Sequence, residues 1–580
     1  MMQEVEVKLT AFLGAQEVRI IRVYRQLDES VSKGDALFDV EGNKEATTLH
    51  AEVSGKVVAL EVAEGDVVPI GSVLARLEIV DAEAIPENQV QAPDPPKENP
   101  SFDYLRGLLQ PQTEHIKSDI TILGAGPGGY VAAIQAAQLG ASVVLVEKDK
   151  VGGTCLNWGC IPTKALVRSA EVYKTLRQSE QYGCYAEGLR LDMGRVLSRK
   201  QQVVDQLAKG IRSLVRANRI NLIEGTGSLT DPHTVTVRRG PQKVTISSGH
   251  IIIATGSRPT RLSIPGIYSP RVLDSKKALD LRDLPERMVI IGGGIVGMEF
   301  AFIFSNFGVR VSVVEYLGTI LGGCDGDVSQ EIERAARQQG IHIYTDAEVE
   351  AIDQAEDGQC IVAFIQARER KYLTAAKVLA AVGREPDLTG LDLEELGIEC
   401  NESGRGIKAN EHMQTNIPHI YAIGDVTDKI QLAHVASRQG VIAVKHIMGQ
   451  DIAMDYSAVP SAIFTDPEIA LVGLSEVVAN ERGISIEVGR FPFVANGKAL
   501  TYGETRGFVK VIQDRNSGKI VGAAIVGPHA TDLIPELTLA IQYGLTTEQV
   551  ANTIHAHPTT AEAIQEAALA TVGGAIHSVR

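Results

Sequence analysis

The chain contains one pattern twice: an apolar strand, a glycine-rich turn, a helix, and a second apolar strand that ends in an acid. The first copy spans residues 119–149 and the second spans 288–315. The turn glycines are Gly124, Gly126 and Gly129 in the first copy and Gly292, Gly294 and Gly297 in the second. This G-x-G-x-x-G spacing lets the backbone approach a pyrophosphate at a helix N-terminus. The pattern therefore predicts two dinucleotide-binding α/β folds.

The acid that ends each copy indicates which nucleotide binds. Glu147 and Glu315 are both placed to accept a hydrogen bond from a ribose hydroxyl. Glu315 favours NAD, because a 2′-phosphate would require an arginine. Two folds suggest two nucleotides, and FAD with NAD is the simplest pair. The strand-and-turn segments IIIATGSRP, with Gly256, and YAIGDV, with Asp425, fit this interpretation.

A pair of cysteines comes after the first fold within GGTCLNWGCIPTK, residues 152–164. Four residues separate Cys155 from Cys160, and a helix is predicted to begin there. A helix N-terminus lowers the pKa of a thiol and so stabilises a thiolate. Because the two thiols are close in sequence on that turn, they can also close a redox-active disulfide. Trp158, the only tryptophan, lies between the two cysteines, and its sequence context suggests no role beyond packing. The remaining cysteines have no Cys or His neighbours at metal-ligand spacing, so no metal site is predicted; they are Cys184, Cys324, Cys360 and Cys400.

Residues 1–80 contain an internal repeat. Five positions recur with an offset of 37: Val31, Gly34, Leu37, Val40 and Glu41 match Val68, Gly71, Leu74, Leu77 and Glu78. Short alternating apolar runs surround them, so a small all-β sandwich is predicted.

The segment joining the two repeats, EGNKEATTLHAEVSGKV, resembles the lipoyl-domain signature. A lysine at a turn, Lys44, precedes a glycine, Gly55, by eleven residues. The resemblance implies a lipoyl group attached to Lys44. The alternative is an unmodified lysine at a solvated turn, on a domain that only docks.

Residues 81–117 are rich in proline, alanine and acids, and we expect a flexible linker there. The net charge of −16 argues against nucleic acid as a partner. No run of 18 apolar residues appears, so no membrane span is expected. The first ten residues do not have the pattern of a targeting peptide, and a cytoplasmic location is the expectation.

From Asp119 onward the chain resembles the flavin disulfide oxidoreductases, the class I pyridine nucleotide-disulfide oxidoreductases. The motifs are GGTCLNWGCIPTK, both glycine turns, AIGDV and HAHPTTAE. The resemblance implies that Cys155 exchanges with a substrate disulfide and that Cys160 makes a charge-transfer contact with the flavin. Lys164 matches the family lysine near the flavin, and Glu299 matches the ion-pair partner of that lysine. Asp425 matches the family aspartate that contacts the ribityl chain of FAD.

The resemblance also supplies a base. His557 matches the family histidine that accepts protons, and Glu562 would fix its tautomer. In the family this histidine serves the other subunit's site, which implies a homodimer. His555 is predicted to be structural.

Within this group, the chain is most similar to the dihydrolipoamide dehydrogenases. Glutathione reductases prefer NADPH and show arginines after the second acid, whereas YLGTIL comes after Glu315. Mercuric reductases and large thioredoxin reductases end in cysteines, whereas this chain ends in VGGAIHSVR. The resemblance implies oxidation of dihydrolipoyl groups on an acyltransferase or a related component of a complex, with reduction of NAD. The alternative is an NADPH-linked disulfide or metal reductase.

The predicted architecture is α/β: two Rossmann-like domains plus an α+β dimerisation domain, preceded by a small all-β, lipoyl-like barrel-sandwich domain. The predicted sections are 1–80 (lipoyl-like), 81–117 (linker), 118–258 (FAD), 259–388 (NAD), 389–457 (central) and 458–580 (interface).

Overall fold

A computed structural model describes residues 4–8, 17–25, 27, 29–31, 35–41, 46–51, 53–78, 113–240 and 242–577. The chain divides into two compact units, Met1–Tyr104 and Leu105–Arg580. Each unit has its own sheets and its own apolar core.

The front unit contains two four-stranded antiparallel sheets. In spatial order, the first sheet contains Glu4–Lys8, Val73–Glu78, Gly55–Leu60 and Ser30–Val31. The second contains Ala46–His50, Ala36–Glu41, Glu17–Val23 and Val67–Pro69. Among the described residues these remain two sheets and do not close into a barrel.

The predicted repeat is confirmed by the order of the strands. Ala36–Glu41, moved by the offset of the repeat, becomes Val73–Glu78, and each is the second strand of its own sheet. The equivalent leucines Leu37 and Leu74 are both almost fully buried, at 1% and 0% exposure, because both face the space between the sheets. The two sheets are thus quasi-equivalent and share one apolar core.

The predicted lipoyl lysine, Lys44, lies outside the described residues. The strands before and after it are described, and Glu41 pairs with Ala46. Glu4 pairs with Glu78 in the other sheet. Residues 81–112, most of the predicted linker, also lie outside the described residues.

The first nucleotide fold is built on a seven-stranded sheet. Its strands, in spatial order, are Asn221–Glu224, Val143–Glu147, Thr113–Leu123, Gln242–Ile253, Thr234–Arg239 and Thr226–Asp231, and Ile420–Ala422 pairs with Gln242–Ile253. Its helices are Pro127–Gln138, Gly153–Trp158, Cys160–Arg177 and Met193–Ala217, with a 3₁₀ turn at Ser179–Tyr182. The strand that leads to the glycine turn begins at Thr113, so it includes the last five residues of the segment predicted as linker.

The second nucleotide fold is built on a five-stranded parallel sheet. Its strands, in order, are Val272–Leu273, Lys377–Ala380, Arg287–Ile291, Arg310–Val314 and His342–Tyr344. Its helices are Ser275–Ala278, Ile295–Asn306 and Gly326–Gln338. Two antiparallel sheets accompany it: Ala347–Gln354, Cys360–Gln366 and Glu369–Ala375 form one, and Ser257–Pro259 with Arg384–Pro386 form the other.

The central segment packs against the first fold. It contains the 3₁₀ turn Gly424–Thr427 and the helix Ala433–Ile447. This helix lies so close to the helix Pro127–Gln138 that a Cβ on Gly440 would come within 2.7 Å of the Gly128 carbonyl oxygen. The central segment therefore completes the wall beside the first glycine turn.

The C-terminal section is an α+β layer. Its antiparallel sheet contains, in order, Ser461–Ile463, Glu468–Gly473, Ile520–Gly527, Phe508–Asp514 and Ile486–Pro492. Its helices are Glu476–Glu481, Gly497–Tyr502, Ala530–Gln542, Thr547–Ala551 and Glu562–Thr571, with a 3₁₀ turn at Phe493–Ala495. The predicted fold class is confirmed in this section as in the two nucleotide folds.

A buried lysine joins this section to the second nucleotide fold. The Lys510 side chain is fully buried, and its ammonium donates to Asp325, Asp327 and Glu476 at 2.7–2.8 Å. The first two acids begin the helix Gly326–Gln338, whereas Lys510 and Glu476 belong to the C-terminal section. A buried charge is tolerated only when it is paired in this way.

Among the described residues, no helix has both the length and the apolar character needed to cross a bilayer.

Candidate active site

The two predicted glycine turns have the same geometry. Gly124 has φ +105° and Gly292 has φ +104°, a conformation that residues with a Cβ rarely adopt. A Cβ on either would also lie 2.3–2.4 Å from the carbonyl oxygen of Ala254 or Ala381. Glycine is required at both positions.

The third glycine of each turn brings the helix onto the strand. A Cβ on Gly129 would lie 1.8 Å from the Gly124 carbonyl oxygen, and one on Gly297 would lie 1.9 Å from the Gly292 oxygen. The middle glycines, Gly126 and Gly294, cap the two helices. Both turns thus present helix N-terminal N–H groups, as anion binding requires.

The two acids make matching hydrogen bonds. Glu147 accepts from the N–H groups of Ala125 and Asp149, both at 2.8 Å. Glu315 likewise accepts from Gly293 at 2.5 Å and from Leu317 at 2.7 Å. Burial raises the pKa of Glu147, although these backbone donors oppose the rise. Each carboxylate oxygen keeps a second lone pair for a ribose hydroxyl.

The cysteine pair spans the junction of two helices. Cys155 is the third residue of Gly153–Trp158, and Cys160 is the first residue of Cys160–Arg177, with Gly159 between the helices. The predicted helix start at the pair is therefore present, at Cys160. Both thiols are free and partly buried.

The two thiols have opposite electrostatic environments. A hydrogen bond from the Cys155 thiol lowers the pKa of Cys160 to about 7, and the Lys164 ammonium adds to this effect against the cost of burial. The same hydrogen bond, together with burial, raises the pKa of Cys155. Cys160 is consequently the thiol that ionises near neutral pH.

Lys164 and Glu299, which are 135 residues apart, form an ion pair beneath Cys160. Lys164 Nζ lies 3.0 Å from Glu299 Oε1 and 3.1 Å from Oε2. Phe464 donates its backbone N–H to Glu299 at 3.0 Å, and its ring lies 4.4 Å from the ammonium. The predicted pair is thus present, and Phe464 is an additional member that the motifs did not indicate.

Asp425 belongs to a hydrogen-bonded chain. Ser257 Oγ donates to Asp425 Oδ2 at 2.5 Å, and the Arg384 guanidinium donates to Ser257 Oγ and to its carbonyl oxygen at 2.8 and 2.6 Å. Gly256, at φ +76°, turns the chain just before Ser257. Burial lowers the pKa of Arg384, and nearby Asp425 and Cys160 oppose this shift.

One continuous cleft is lined by most of these groups. Its volume is about 1510 Å³, and both glycine turns, both acids, both cysteines, Lys164, Glu299, Gly256 and Asp425 line it. Pockets for one small molecule typically span 300–1,000 Å³, so this cleft has room for two dinucleotides.

A buried hydroxyl in the wall of the cleft indicates a polar ligand. Thr255 Oγ1 is buried and has no hydrogen-bond partner among the described residues. Buried polar atoms are normally paired, so a ligand atom is expected to bind it. Together with the two anion-binding turns, this hydroxyl fits a cleft that holds FAD and NAD.

His557 lies away from this cleft. It is absent from the cleft lining, its side chain is 79% exposed, and Nδ1 lies 2.8 Å from Glu562 Oε1. Burial favours the neutral form of Glu562, but hydrogen bonds from the Thr559 N–H and from His557 lower its pKa overall. The imidazole is thus oriented by a carboxylate and open on its other side.

His555 is held differently. Its ring nitrogens contact the Thr553 carbonyl oxygen at 2.9 Å and Glu536 at 3.0 Å, and its side chain is almost fully buried. These contacts agree with the structural role predicted for it.

Sequence reasoning missed Ser257, Arg384 and Thr255, and it gave no account of Trp158. A signal was available for Arg384, because it comes after a third strand, Lys377–Ala380, and the glycine at 383. Loops at the carboxyl ends of parallel strands form ligand clefts.

Comparison with protein families identifies three sections. Residues 118–440 match the pyridine nucleotide-disulphide oxidoreductase family, and 459–568 match its dimerisation domain. Residues 13–77 match the biotin-requiring enzyme family of biotinyl and lipoyl domains.

Several curated proteins are similar over the larger unit. A dihydrolipoyl dehydrogenase of Haloferax volcanii is 43% identical over 468 residues, which is 80% of this chain and 98% of the relative. One from Bacillus subtilis is 44% identical over 471 residues, which is 79% of this chain and 99% of the relative.

Solved structures with a similar fold are also found. The Cu(II) complex of the HOCl-induced flavoprotein disulfide reductase RclA from Escherichia coli has a TM-score of 0.70 at 30% identity. LpdA from Mycobacterium tuberculosis has a TM-score of 0.73 at 26% identity. Each comparison covers 78% of this chain and 99% of the other.

The effect of Lys164 on Cys160 is testable. In the reduced Lys164→Met variant, we expect the pKa of Cys160 to rise above its wild-type value, because the ammonium no longer stabilises the thiolate, although the hydrogen bond from Cys155 still lowers it. The thiolate exists above its pKa, so the variant should contain less of it at neutral pH. Ultraviolet thiolate absorbance measures this titration.

Lys174→Met is the matched control. Lys174 lies on the same helix but pairs with Asp466 at 2.5 Å, and it is not among the groups that shift either cysteine. Equal titrations of Cys160 in the wild type and the Lys164 variant would contradict the assignment.

Proposed function

The chain therefore belongs to the pyridine nucleotide-disulphide oxidoreductase family, and we propose that it is a dihydrolipoyl dehydrogenase that oxidises dihydrolipoyl groups through Cys155, Cys160, FAD and NAD. The observation that supports this most directly is geometric: Cys155, Cys160, Lys164 and Glu299 line the same cleft as both glycine turns. The curated dihydrolipoyl dehydrogenases, at 43–44% identity, support the same activity.

The cysteine pair performs the disulfide exchange in this proposal. Starting from the Cys155–Cys160 disulfide, a dihydrolipoyl thiolate attacks Cys155 Sγ and releases Cys160 as a thiolate. The second dihydrolipoyl thiol then displaces Cys155, so the lipoyl disulfide forms and the enzyme holds two reduced cysteines. The low pKa of Cys160 makes it a good leaving group.

FAD, when bound, supplies the two-electron carrier between the reduced cysteines and NAD. In the proposal Gly124, Gly126, Gly129, Glu147, Gly256 and Asp425 hold FAD, and Gly292, Gly294, Gly297 and Glu315 hold NAD. Lys164 keeps the Cys160 thiolate charged and in place, while Glu299 fixes Lys164. The net reaction converts the dithiol and NAD⁺ into the disulfide, NADH and a proton.

In the proposal, His557 accepts the proton that a dihydrolipoyl thiol releases. The C-terminal section matches the family's dimerisation domain, so the enzyme is a homodimer. Because His557 is exposed and does not line its own cleft, we assign it to the cleft of the partner subunit. Glu562 orients the imidazole so that the free nitrogen accepts the dihydrolipoyl proton.

The front unit supports a role within a lipoyl-dependent complex. It matches a biotinyl and lipoyl family, and we propose that Lys44 carries a lipoyl group that reacts at a dehydrogenase cleft. An acyltransferase or a related component of the complex is the proposed partner. A cytoplasmic location stays a prediction.

The second candidate is an NADPH-linked disulfide or metal reductase of the same flavoprotein family. The structural likeness to RclA, a flavoprotein disulfide reductase, at 30% identity favours its disulfide-reductase form. Glu315 argues against it, because its carboxylate would repel a 2′-phosphate.

Dihydrolipoamide oxidation tests the activity directly. In anaerobic assays with free dihydrolipoamide, we expect rapid NADH formation with NAD and little reaction with NADP. NADPH-driven reduction of a different disulfide, without any reaction of dihydrolipoamide, would establish the second candidate instead.

The His557→Gln variant tests the base. We expect kcat for dihydrolipoamide oxidation to fall by about 10²–10⁴-fold, the usual contribution of a positioned general base. His577→Gln is the matched control, because His577 makes the same Nδ1–carboxylate pair at 2.7 Å with Glu566 outside the motif. Equal loss in both variants would assign the effect to the fold rather than to proton transfer.

Lipoylation of Lys44 is tested by intact mass. Protein expressed with lipoate should gain one lipoyl increment that maps to Lys44, and Lys44→Arg should lack it. An unmodified Lys44 under these conditions would mean that the front unit is a docking module only.

A further inference from the structure

Lys276 differs from the other cations that line the cleft. The lining contains five Lys and Arg residues: Lys148, Lys164, Arg258, Lys276 and Arg384. Lys148, Lys164 and Arg258 form ion pairs with Asp387, Glu299 and Glu385, and Arg384 donates to Ser257. Within residues 113–240 and 242–577, no carboxylate lies within ion-pair distance of Lys276.

An indole ring holds Lys276 instead. Its Nζ lies 3.8 Å from the centroid of the Trp158 ring. A cation over an aromatic face is attracted by the ring but keeps its full positive charge. Lys276 is therefore ordered and still able to bind an anion.

The position of Lys276 places it beside the second nucleotide fold. Val272–Leu273 runs parallel to Lys377–Ala380, which runs parallel to Arg287–Ile291. Lys276 lies in the short helix Ser275–Ala278 after the first of these strands, and Gly383 and Gly292 lie in the loops after the other two. All three residues line the cleft. Ligand phosphates bind at this carboxyl edge of a parallel sheet.

We propose that Lys276, held on Trp158, binds a phosphate of the pyridine nucleotide. This inference rests on the proposed function, because it takes NAD as the ligand of the second fold. It also gives Trp158 a role: the residue between the two cysteines is the platform that positions the nucleotide-binding cation. Nucleotide binding thereby contacts the segment that carries Cys155 and Cys160.

The test is NADH binding, by anaerobic titration calorimetry, to FAD-loaded enzyme that has been fully reduced with dithionite beforehand, so that no hydride is transferred; Trp158 fluorescence is a second signal. Lys276→Met removes the charge and keeps the aliphatic chain on the indole. We expect NADH to bind about tenfold more weakly to it and Lys276→Arg to restore affinity, since arginine also stacks on indole. The matched control is Lys277→Met, because Lys277 is exposed but does not line the cleft.

Two further measurements identify the phosphate contact. The salt dependence of NADH affinity should be shallower in Lys276→Met, because one ionic contact is lost. In turnover, KM for NAD should rise while KM for dihydrolipoamide stays unchanged. If Lys276 had only a structural role, Lys276→Met would leave the salt dependence of NADH affinity unchanged. It would also not raise KM for NAD selectively over KM for dihydrolipoamide.

The outcomes separate the inference from the function on which it rests. Failure of the wild-type enzyme to bind NADH would overturn the proposed function. Normal NADH binding by both the wild type and Lys276→Met would overturn only the inference. Loss of FAD from Lys276→Met, with NADH affinity retained, would also overturn it by assigning the cation to the flavin phosphates.

Discussion

The ion pair between Lys164 and Glu299 is the contact on which the arrangement of the catalytic unit depends. Lys164 comes from the helix that starts at Cys160, Glu299 from the helix after the second glycine turn, and Phe464 from the C-terminal section. Glu299 is nearly buried, so an unpaired carboxylate there would be costly. Three sections of the chain must therefore be in place together before the Lys164 ammonium is held where it can stabilise the Cys160 thiolate.

The two nucleotide folds show how one local geometry serves two ligands. Their turns agree within a degree in φ at the first glycine and within 0.1 Å in the close approach of the third. Their acids accept from backbone N–H groups in the same places. The two folds differ in the segment after the acid: the first continues into the cysteine pair and its helices, and the second into an exposed Tyr316.

The sequence predicted the features that local patterns encode. Glycine turns, the cysteine pair and the histidine motif each bring their chemistry within a few residues, and the repeat in the front unit was visible from its offset. Other contacts join residues that are far apart in the sequence. Ser257 is 127 residues from Arg384 and 168 residues from Asp425, and Trp158 is separated from Lys276 by a similar distance along the chain. Sequence periodicity does not predict such contacts, because they form only when strands from separate parts of the chain end at the same cleft. The buried Lys510 network was unpredictable for the same reason, since Asp325 and Asp327 belong to a different section from Lys510 and Glu476.

The quasi-equivalent sheets of the front unit have a consequence for how the two halves of the repeat depend on each other. Each sheet takes two strands from each half of the repeat, so neither half supplies all four strands of a sheet. Because the strands are interlaced, both halves of the repeat must be in place before either four-stranded sheet is complete. The symmetry that exchanges the sheets carries the Glu41–Ala46 pair onto the Glu78–Glu4 pair. The two related positions differ in what the sequence places after them: the segment with Lys44 follows Glu41, and residues 79–112 follow Glu78.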